Sequence, residues 1–302
     1  MRYPLVDYAR LGLALSVMLT HTRNELHLWP SDYAPNWAVP AFLAISGYFV
    51  LASFERSASW REFAVKRLLR VGPAFVVSLL LMCALFGSVG LWQSTQAYLT
   101  FGFRREAQAN APLWSLSVEE VAYAFMAVGV VVGFYRRRWP IWIALVLSLT
   151  LVTLYQALPS TSDGPAFRVT SVIASFFAGS LVYIYRGRIP PLAGFVSLWL
   201  GLLLTFHLRA PGCALMGAGL VAWLTAWTPS VPKIPDLSYG VYVYHFPLVL
   251  AWREASLPWA LYLPVLGVLC LLSWYLIEAP ALSLRAGRSG VRPHDPLVAE
   301  AG

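Results

Sequence analysis

Long apolar runs separated by short polar stretches repeat along almost the whole chain. A helix that crosses a lipid bilayer needs about 20 mostly apolar residues, and most of the runs approach that length. The pattern places spans at approximately 5–28, 37–54, 71–90, 116–134, 140–157, 168–185, 190–207, 212–228, 239–257 and 259–277. It therefore predicts an all-α, polytopic integral membrane protein of about ten transmembrane helices.

The segments between and after the spans leave no room for a soluble domain. We expect residues 1–280 to form one transmembrane domain. Residues 281–302 are rich in Gly, Pro and Arg, which predicts a disordered cytoplasmic tail. Aromatic and basic residues interleave after the second span, at 55–73. We expect this segment to be an amphipathic helix that lies on the inner leaflet.

Composition and charge agree with a membrane protein. Of the 302 residues, 59% are hydrophobic and 12% are charged, whereas soluble domains have about 25% charged residues. Most of the 22 Lys and Arg residues fall in alternate loops, which favours a multi-pass protein of the plasma (inner) membrane with both termini in the cytoplasm. Because the net charge of +8 follows these loops, nucleic acid is not an expected partner. The three cysteines show no ligand spacing, and we expect no metal.

The first span carries three ionisable residues on one helical face. His21 follows Arg10 by eleven positions, so the two side chains lie about 20° apart around the helix axis. Asp7 falls on the same face, where we expect it to neutralise Arg10 one turn away. Ionisable groups within membrane helices face a protein interior or a water-filled cavity. This face is therefore predicted to line a functional site.

Further candidates lie next to the third and fourth spans. Arg67 and Arg70 are three positions apart and share a helix face, so together they could bind a phosphate. Ser117 and Glu120 match a capping box at the start of the fourth span. Glu119 has no such duty, which makes it a candidate for the site.

The ninth span combines His245 and Tyr242 with Pro247, which should free a backbone carbonyl. His245 is either a packed histidine satisfied by a tyrosine or part of a pocket for the acceptor. Tyr242 and Trp114 are further candidates for that pocket. Aromatic residues near the outer surface suit stacking on sugar rings, but they equally suit the interfacial belt of a membrane protein.

These residues belong to motifs that resemble the membrane-bound acyltransferase 3 family. In chain order the motifs are Arg10-x10-His21, FLAISGYFV at 42–50, Arg67-x2-Arg70, LWSLSVEEVAY at 113–123, FFAGSLVY at 176–183, SYGVYVYHFPL at 238–248 and IEAP at 277–280. The resemblance implies a ten-helix enzyme that transfers an acyl group, commonly acetyl, from cytoplasmic acyl-coenzyme A to a hydroxyl of an extracytoplasmic glycan or glycolipid. It also implies that four residues are functional: Arg10 and His21 of the first motif, and Arg67 and Arg70 of the third. Some members carry an added esterase-like domain, which we do not expect here.

Acyl transfer to a hydroxyl requires a base and a place for the polyanionic donor. We expect His21 to be the base, and we expect Arg10, Arg67 and Arg70 to bind phosphates of acyl-coenzyme A, with acetyl-CoA as the first choice. Along the helix axis, Arg10 and His21 are about 16 Å apart, which is comparable with an extended pantetheine arm.

Two groups of lesser weight complete the predicted site. A carboxylate, Glu119 or Glu120, would orient the imidazole or hold the acceptor. Ser46 is a supporting residue, and since the sequence shows no base beside it, we favour direct transfer without a covalent intermediate.

Other functions stay open at this point. A transporter or flippase would use the Asp, Arg and His residues as an intramembrane relay and would show paired broken helices. An acyltransferase acting on a small hydroxylated natural product fits the same motifs. A non-catalytic membrane assembly protein would leave the ionisable face unexplained.

Overall fold

The computed structural model describes residues 3–26, 37–57, 59–104, 106–131, 138–158, 164–227 and 229–284, and these residues form helices without any β-strand. The helices are α1 (Pro4–Leu26), α2 (Ala38–Glu55), α3 (Trp60–Leu99), α4 (Leu113–Val131), α5 (Trp139–Ala157), α6 (Pro165–Ile184), α7 (Pro191–Leu204), α8 (Arg209–Ala226), α9 (Ser238–Ala255), α10 (Tyr262–Ser273) and α11 (Ala279–Ser283). A 3₁₀ turn at Trp259–Leu261 precedes α10, and a π-helical turn at Trp274–Glu278 joins α10 to α11.

Each span predicted from the sequence overlaps one of these helices. Five helical segments are long and apolar enough by themselves to cross a membrane, namely Ala38–Glu55, Trp60–Leu99, Trp139–Ala157, Pro165–Ile184 and Trp259–Ser283. α7 is also apolar but has only 14 residues. The prediction of an all-helical membrane protein is confirmed, with ten as an approximate number of spans.

α3 is longer than the predicted third span. Its 40 residues, Trp60–Leu99, keep helical backbone angles except at Gly87, where φ is 65°. The segment expected to be an amphipathic helix on the inner leaflet is helical from Trp60 onward and continues directly into the rest of α3. Two of its arginines contact protein groups: Arg67 Nη2 donates to Ser53 Oγ of α2 at 3.1 Å, and Arg70 contacts the loop before α9.

α2 and α6 cross so closely that each needs a glycine at the contact. A Cβ atom on Gly47 would lie 1.9 Å from the carbonyl oxygen of Phe176, and one on Gly179 would lie 1.9 Å from that of Ala44. Ser180 Oγ also donates to the carbonyl oxygen of Gly47 at 3.3 Å. The two glycine-containing motifs at 42–50 and 176–183 therefore hold the centre of the bundle together.

α9 packs against α1, α3 and α10. Pro247 has no N–H, so the carbonyl of Val243 lacks its helical donor. Asn110 Nδ2 donates to this carbonyl oxygen at 3.0 Å, from the loop before α4. The carbonyl that the sequence predicted to be freed is thus satisfied by a buried side chain, which ties that loop to the middle of α9.

The C-terminal part of the bundle turns through the π-helical segment into α11. Glu278, in this segment, is buried and accepts a hydrogen bond from Ser273 Oγ at 3.0 Å. α11 extends to Ser283. Residues 285–302 of the expected tail lie outside the described residues.

Replacing Gly179 tests the crossing of α2 and α6. We expect Gly179→Ala to destabilise the protein by about 1–3 kcal/mol or more, because the new methyl group meets backbone atoms that cannot move aside. Gly12→Ala is the matched control, since a Cβ atom there would have no neighbour within 4 Å. Thermal unfolding in detergent measures both variants. Equal melting temperatures for Gly179→Ala and the parent protein would contradict the close crossing.

Candidate active site

Two adjacent cavities hold most of the candidate residues. The larger, of about 570 Å³, we call the histidine cavity; its lining includes His21, Glu25, Glu106, Trp114, Arg168, Arg209, Tyr242, Phe246 and Arg253. The smaller, of about 70 Å³, we call the arginine cavity; its lining includes Arg10, Phe42, Arg67, Arg70, Glu119, Tyr123 and Tyr239. Val39 and Tyr242 line both cavities. The Arg10 and His21 ends of α1 therefore open into different but neighbouring spaces.

Asp236 is the carboxylate that the structure places beside the arginines. Arg70 Nη2 donates to Asp236 Oδ2, and Arg10 Nη1 lies 3.7 Å from the same oxygen. Ser238 Oγ donates to Asp236 Oδ1 at 2.5 Å. Burial alone would raise the pKa of Asp236, but the guanidinium groups of Arg70 and Arg10 outweigh burial and lower this pKa below its usual range. The sequence pointed to Asp7 as the partner of Arg10 and did not identify Asp236.

Arg67 lies in the wall of the arginine cavity. Its guanidinium carbon lies 5.8 Å from the ring centres of both Phe63 and Tyr123. Its Nε is buried and has no hydrogen-bond partner among the described residues. Leaving a buried donor unsatisfied costs about 1–3 kcal/mol. The described residues therefore leave this guanidinium only partly satisfied.

The two glutamates of α4 have different surroundings. Ser46 Oγ and Tyr123 OH both donate to Glu119 Oε1, at the wall of the arginine cavity. Glu120 Oε2 accepts instead from the hydroxyl of Tyr98, on α3. Ser46 therefore has a carboxylate beside it, supplied from a distant part of the chain, which its neighbours in the sequence do not show.

The capping box expected at Ser117 and Glu120 is wrong. α4 begins at Leu113, so Ser117 lies inside the helix. Its Oγ donates to the carbonyl oxygen of Trp114 at 2.7 Å. The local pattern matched, but the helix starts five residues earlier than that pattern required.

His21 of α1 lies against His245 of α9. Nδ1 of His21 is 2.9 Å from Nε2 of His245. The two rings meet edge to edge and are nearly coplanar, with centroids 5.2 Å apart and planes inclined by 15°, and the ring of Phe246 meets His21 edge-on at 5.1 Å. His245 is fully buried, and unlike His21 it is not among the residues that line the histidine cavity. The sequence treated it as a candidate for the acceptor pocket.

Trp114 and Tyr242 both line the histidine cavity, as does Arg168. Tyr242 OH donates to the carbonyl oxygen of Pro112 at 3.1 Å and lies 2.5 Å from Ser115 Oγ. The guanidinium carbon of Arg168 is 5.9 Å from the ring centre of Trp114. The cavity thus presents aromatic surface and charged groups next to His21.

The parts of the chain that match known proteins include the entire candidate site. A family model described as an acyltransferase domain matches residues 3–279, which include every residue of both cavities. Nodulation protein 10 of Rhizobium leguminosarum bv. viciae is 27% identical, over 92% of this chain and 93% of that protein. The O-acetyl transferase of Shigella phage Sf6 is 26% identical, over 92% of this chain and 98% of its own length. No solved structure matches the chain.

Removing the Asp236 charge tests the ion-pair cluster. We expect Asp236→Asn to lower the free energy of unfolding by about 1–3 kcal/mol, less than for fully buried pairs, because the side chains of Arg10 and Arg70 keep 23% and 16% exposure. The control Glu62→Gln breaks a pair within α3, Lys66–Glu62 at 2.6 Å, which is worth about 0.3–0.5 kcal/mol. Thermal unfolding in detergent compares the two. A smaller loss for Asp236→Asn than for Glu62→Gln would contradict the assignment.

Proposed function

The chain belongs to the acyltransferase 3 family, and from that premise we propose that it transfers an acyl group from cytoplasmic acyl-CoA to a hydroxyl of an extracytoplasmic glycan or glycolipid. Acetyl is the first choice of acyl group, because one relative is named an O-acetyl transferase. Family membership also favours acyl transfer over the transporter and assembly-protein alternatives. The proposed location is the plasma membrane, with both termini in the cytoplasm.

The observation that carries this proposal is the adjacency of the two cavities. The arginine cavity is basic, as binding of a phosphate-rich donor requires. The histidine cavity is larger and has His21 in its wall. In the proposed orientation the arginine cavity faces the cytoplasm, and the histidine cavity faces the outside. Donor and acceptor would then approach from opposite sides of the membrane and meet between the two cavities.

In this proposal Arg10, Arg67 and Arg70 bind the phosphates of the donor. The presence of all three arginines in the lining of one cavity supports a phosphate ligand there. At about 70 Å³ the arginine cavity is far smaller than the range of about 300–1,000 Å³ that is usual for ligand pockets. Binding of the donor therefore requires this cavity to widen, and the acyl-pantetheine arm must pass Tyr242 to reach His21.

The chemical step assigns one proton to His21. The acceptor hydroxyl loses its proton to the imidazole while its oxygen attacks the thioester carbonyl carbon. The tetrahedral intermediate then collapses, the carbon–sulfur bond breaks, and the CoA thiolate takes up a proton from the imidazolium. Imidazole suits both transfers, because its ordinary pKa of about 6.5 lies near neutral pH.

The histidine cavity is the proposed acceptor site. Its volume is within the range of about 300–1,000 Å³ that is usual for small-ligand pockets, and Trp114 and Tyr242 offer faces on which a sugar ring would stack. A small hydroxylated natural product would fit the same space and is the second candidate acceptor.

A covalent acyl-enzyme on Ser46 is an alternative to direct transfer. Because Glu119 lies beside its hydroxyl, Ser46 has the local base that a covalent acyl-enzyme would need. We retain direct transfer, in which Glu119 supports the site through Ser46 and Tyr123. Mass spectrometry of the intact protein after incubation with acetyl-CoA alone is expected to show no acetylated form. An acetyl adduct that maps to Ser46 would contradict direct transfer.

Loss of His21 should abolish acyl transfer. In cells that make His21→Gln we expect acylation of surface glycans and lipids to fall to the level of cells without the protein, since a general base contributes about 10²–10⁴-fold. Mass spectrometry of extracted glycans, lipids and small metabolites measures the product, and quantification in membranes confirms equal insertion. Parental acylation by His21→Gln would overturn the base assignment. Acetylated small metabolites in place of glycans would identify the second candidate acceptor.

Arg67 is expected to affect donor binding. Arg67→Ala should raise the acetyl-CoA KM about tenfold or more, because it removes charge-assisted hydrogen bonds to phosphate. The double variant with Arg70→Ala should raise it further. Arg61→Ala is the control, since Arg61 is an exposed residue of the same helix whose guanidinium contacts Trp60. An unchanged KM in the double variant would refute the phosphate site.

A further inference from the structure

We propose that His245 is a positioning residue that holds neutral His21 in one tautomer, with the hydrogen on Nδ1 and the lone pair on Nε2. The inference rests on the proposed function only where it makes His21 Nε2 the atom that accepts the hydroxyl proton. The tautomer itself follows from the contact between the two histidines and does not depend on the proposed function.

The tautomers follow from one backbone carbonyl. His245 Nδ1 lies 2.9 Å from the carbonyl oxygen of Val241, and a carbonyl oxygen only accepts hydrogen bonds, so this nitrogen carries a hydrogen. His245 is fully buried, which favours the neutral ring with a single N–H. Its Nε2 is therefore an acceptor. The atom that faces it at 2.9 Å is His21 Nδ1, which must donate.

The backbone around His245 is held from two further directions. Tyr262 OH donates to the carbonyl oxygen of His245 at 3.1 Å. Two residues earlier, the carbonyl of Val243 is bound by Asn110 because Pro247 supplies no N–H. A ring whose backbone is fixed in this way can orient the ring that is hydrogen-bonded to its edge.

The consequence concerns which nitrogen of His21 acts as the base. With Nδ1 donating to His245, the basic lone pair of neutral His21 is on Nε2. When Nε2 takes a proton, Nδ1 keeps its hydrogen and its bond to His245, so no tautomer exchange is needed during the reaction. His245 does not itself accept a proton in this scheme.

This arrangement gives His245 the role that a carboxylate has in other acid–base pairs, where a third group orients the catalytic base. The sequence had offered Glu119 or Glu120 for that role. Glu119 instead accepts from Ser46 and Tyr123, and Glu120 accepts from a tyrosine of α3. Because His245 is neutral, its hydrogen bond orients the ring of His21 without adding a negative charge.

Nitrogen NMR of the full-length protein, made with isotopically labelled histidine and held in detergent micelles, tests the tautomer directly. Protonated and unprotonated ring nitrogens have well-separated shifts, and couplings to the ring protons distinguish Nδ1 from Nε2. His21→Gln identifies the His21 signals. Above the pH at which His21 becomes neutral, we expect Nδ1 to be protonated and Nε2 to be unprotonated. The opposite pattern, or an equal mixture, would overturn the proposal.

Two variants of His245 separate positioning from packing. His245→Phe keeps a flat ring but removes the acceptor, so His21 should become a mixture of tautomers, and kcat should fall about tenfold to a hundredfold, part of the roughly 10²–10⁴-fold effect of a base. The KM for acetyl-CoA should stay unchanged. His245→Gln places an amide oxygen near the Nε2 position and should restore both the tautomer and part of kcat. His207→Gln, a change outside both cavities, is the control and should keep parental values.

The outcomes distinguish this inference from the proposed function. An unchanged His21 tautomer in His245→Phe would overturn the positioning role, whatever happens to activity. The expected tautomer in the parent protein, lost in His245→Phe and restored in His245→Gln, supports positioning even if acyl transfer does not depend on His21. Full activity of His21→Gln would then overturn the base assignment alone.

Discussion

The packing of α1 against α9 is the constraint on which the site depends, because two pairs of polar groups join these parts of the chain at different depths. Near one end Arg10 faces Asp236, just before α9, at 3.7 Å. Near the other, His21 and His245 are 2.9 Å apart. An uncompensated charge within an apolar bundle costs several kcal/mol, and a buried polar ring without a hydrogen bond also costs free energy. The register that pairs Arg10 with Asp236 and His21 with His245 is therefore favoured over any that leaves them apart. One helix contact thereby places a basic group and an imidazole in adjoining cavities.

The remaining helices complete the two cavities from that contact outward. The close crossing of α2 and α6 at Gly47 and Gly179 fixes the part of α2 that meets Glu119 of α4. α3 adds Arg67 and Arg70 to the wall of the arginine cavity. Tyr242 borders both spaces, and its hydroxyl is held by the segment before and at the start of α4. The border between the two cavities, at Val39 of α2 and Tyr242 of α9, is therefore built from residues of helices.

The sequence predicted the helices and the shared face of Arg10 and His21 because hydrophobic periodicity is a local property. It did not predict contacts between distant segments. Asp236 is a single acid in a Pro-containing loop, and nothing nearby in the sequence marks it as the partner of Arg10. His245 was recognised as unusual, but its contact with His21 depends on how α1 and α9 pack. Local sequence patterns gave a wrong prediction at Ser117, where a capping box was expected but α4 begins earlier, at Leu113.

The central claim is that an acyl group passes from a donor on the arginine side to an acceptor on the histidine side. Sealed inverted membrane vesicles from cells that make this protein, given radiolabelled acetyl-CoA outside, test it directly, since the outer surface of such vesicles is the cytoplasmic face. The account predicts labelled glycan or glycolipid inside the vesicles, resistant to added esterase until detergent opens them, and no label with His21→Gln. Label that esterase removes from intact vesicles, or that forms only when acetyl-CoA is enclosed within them, would contradict it.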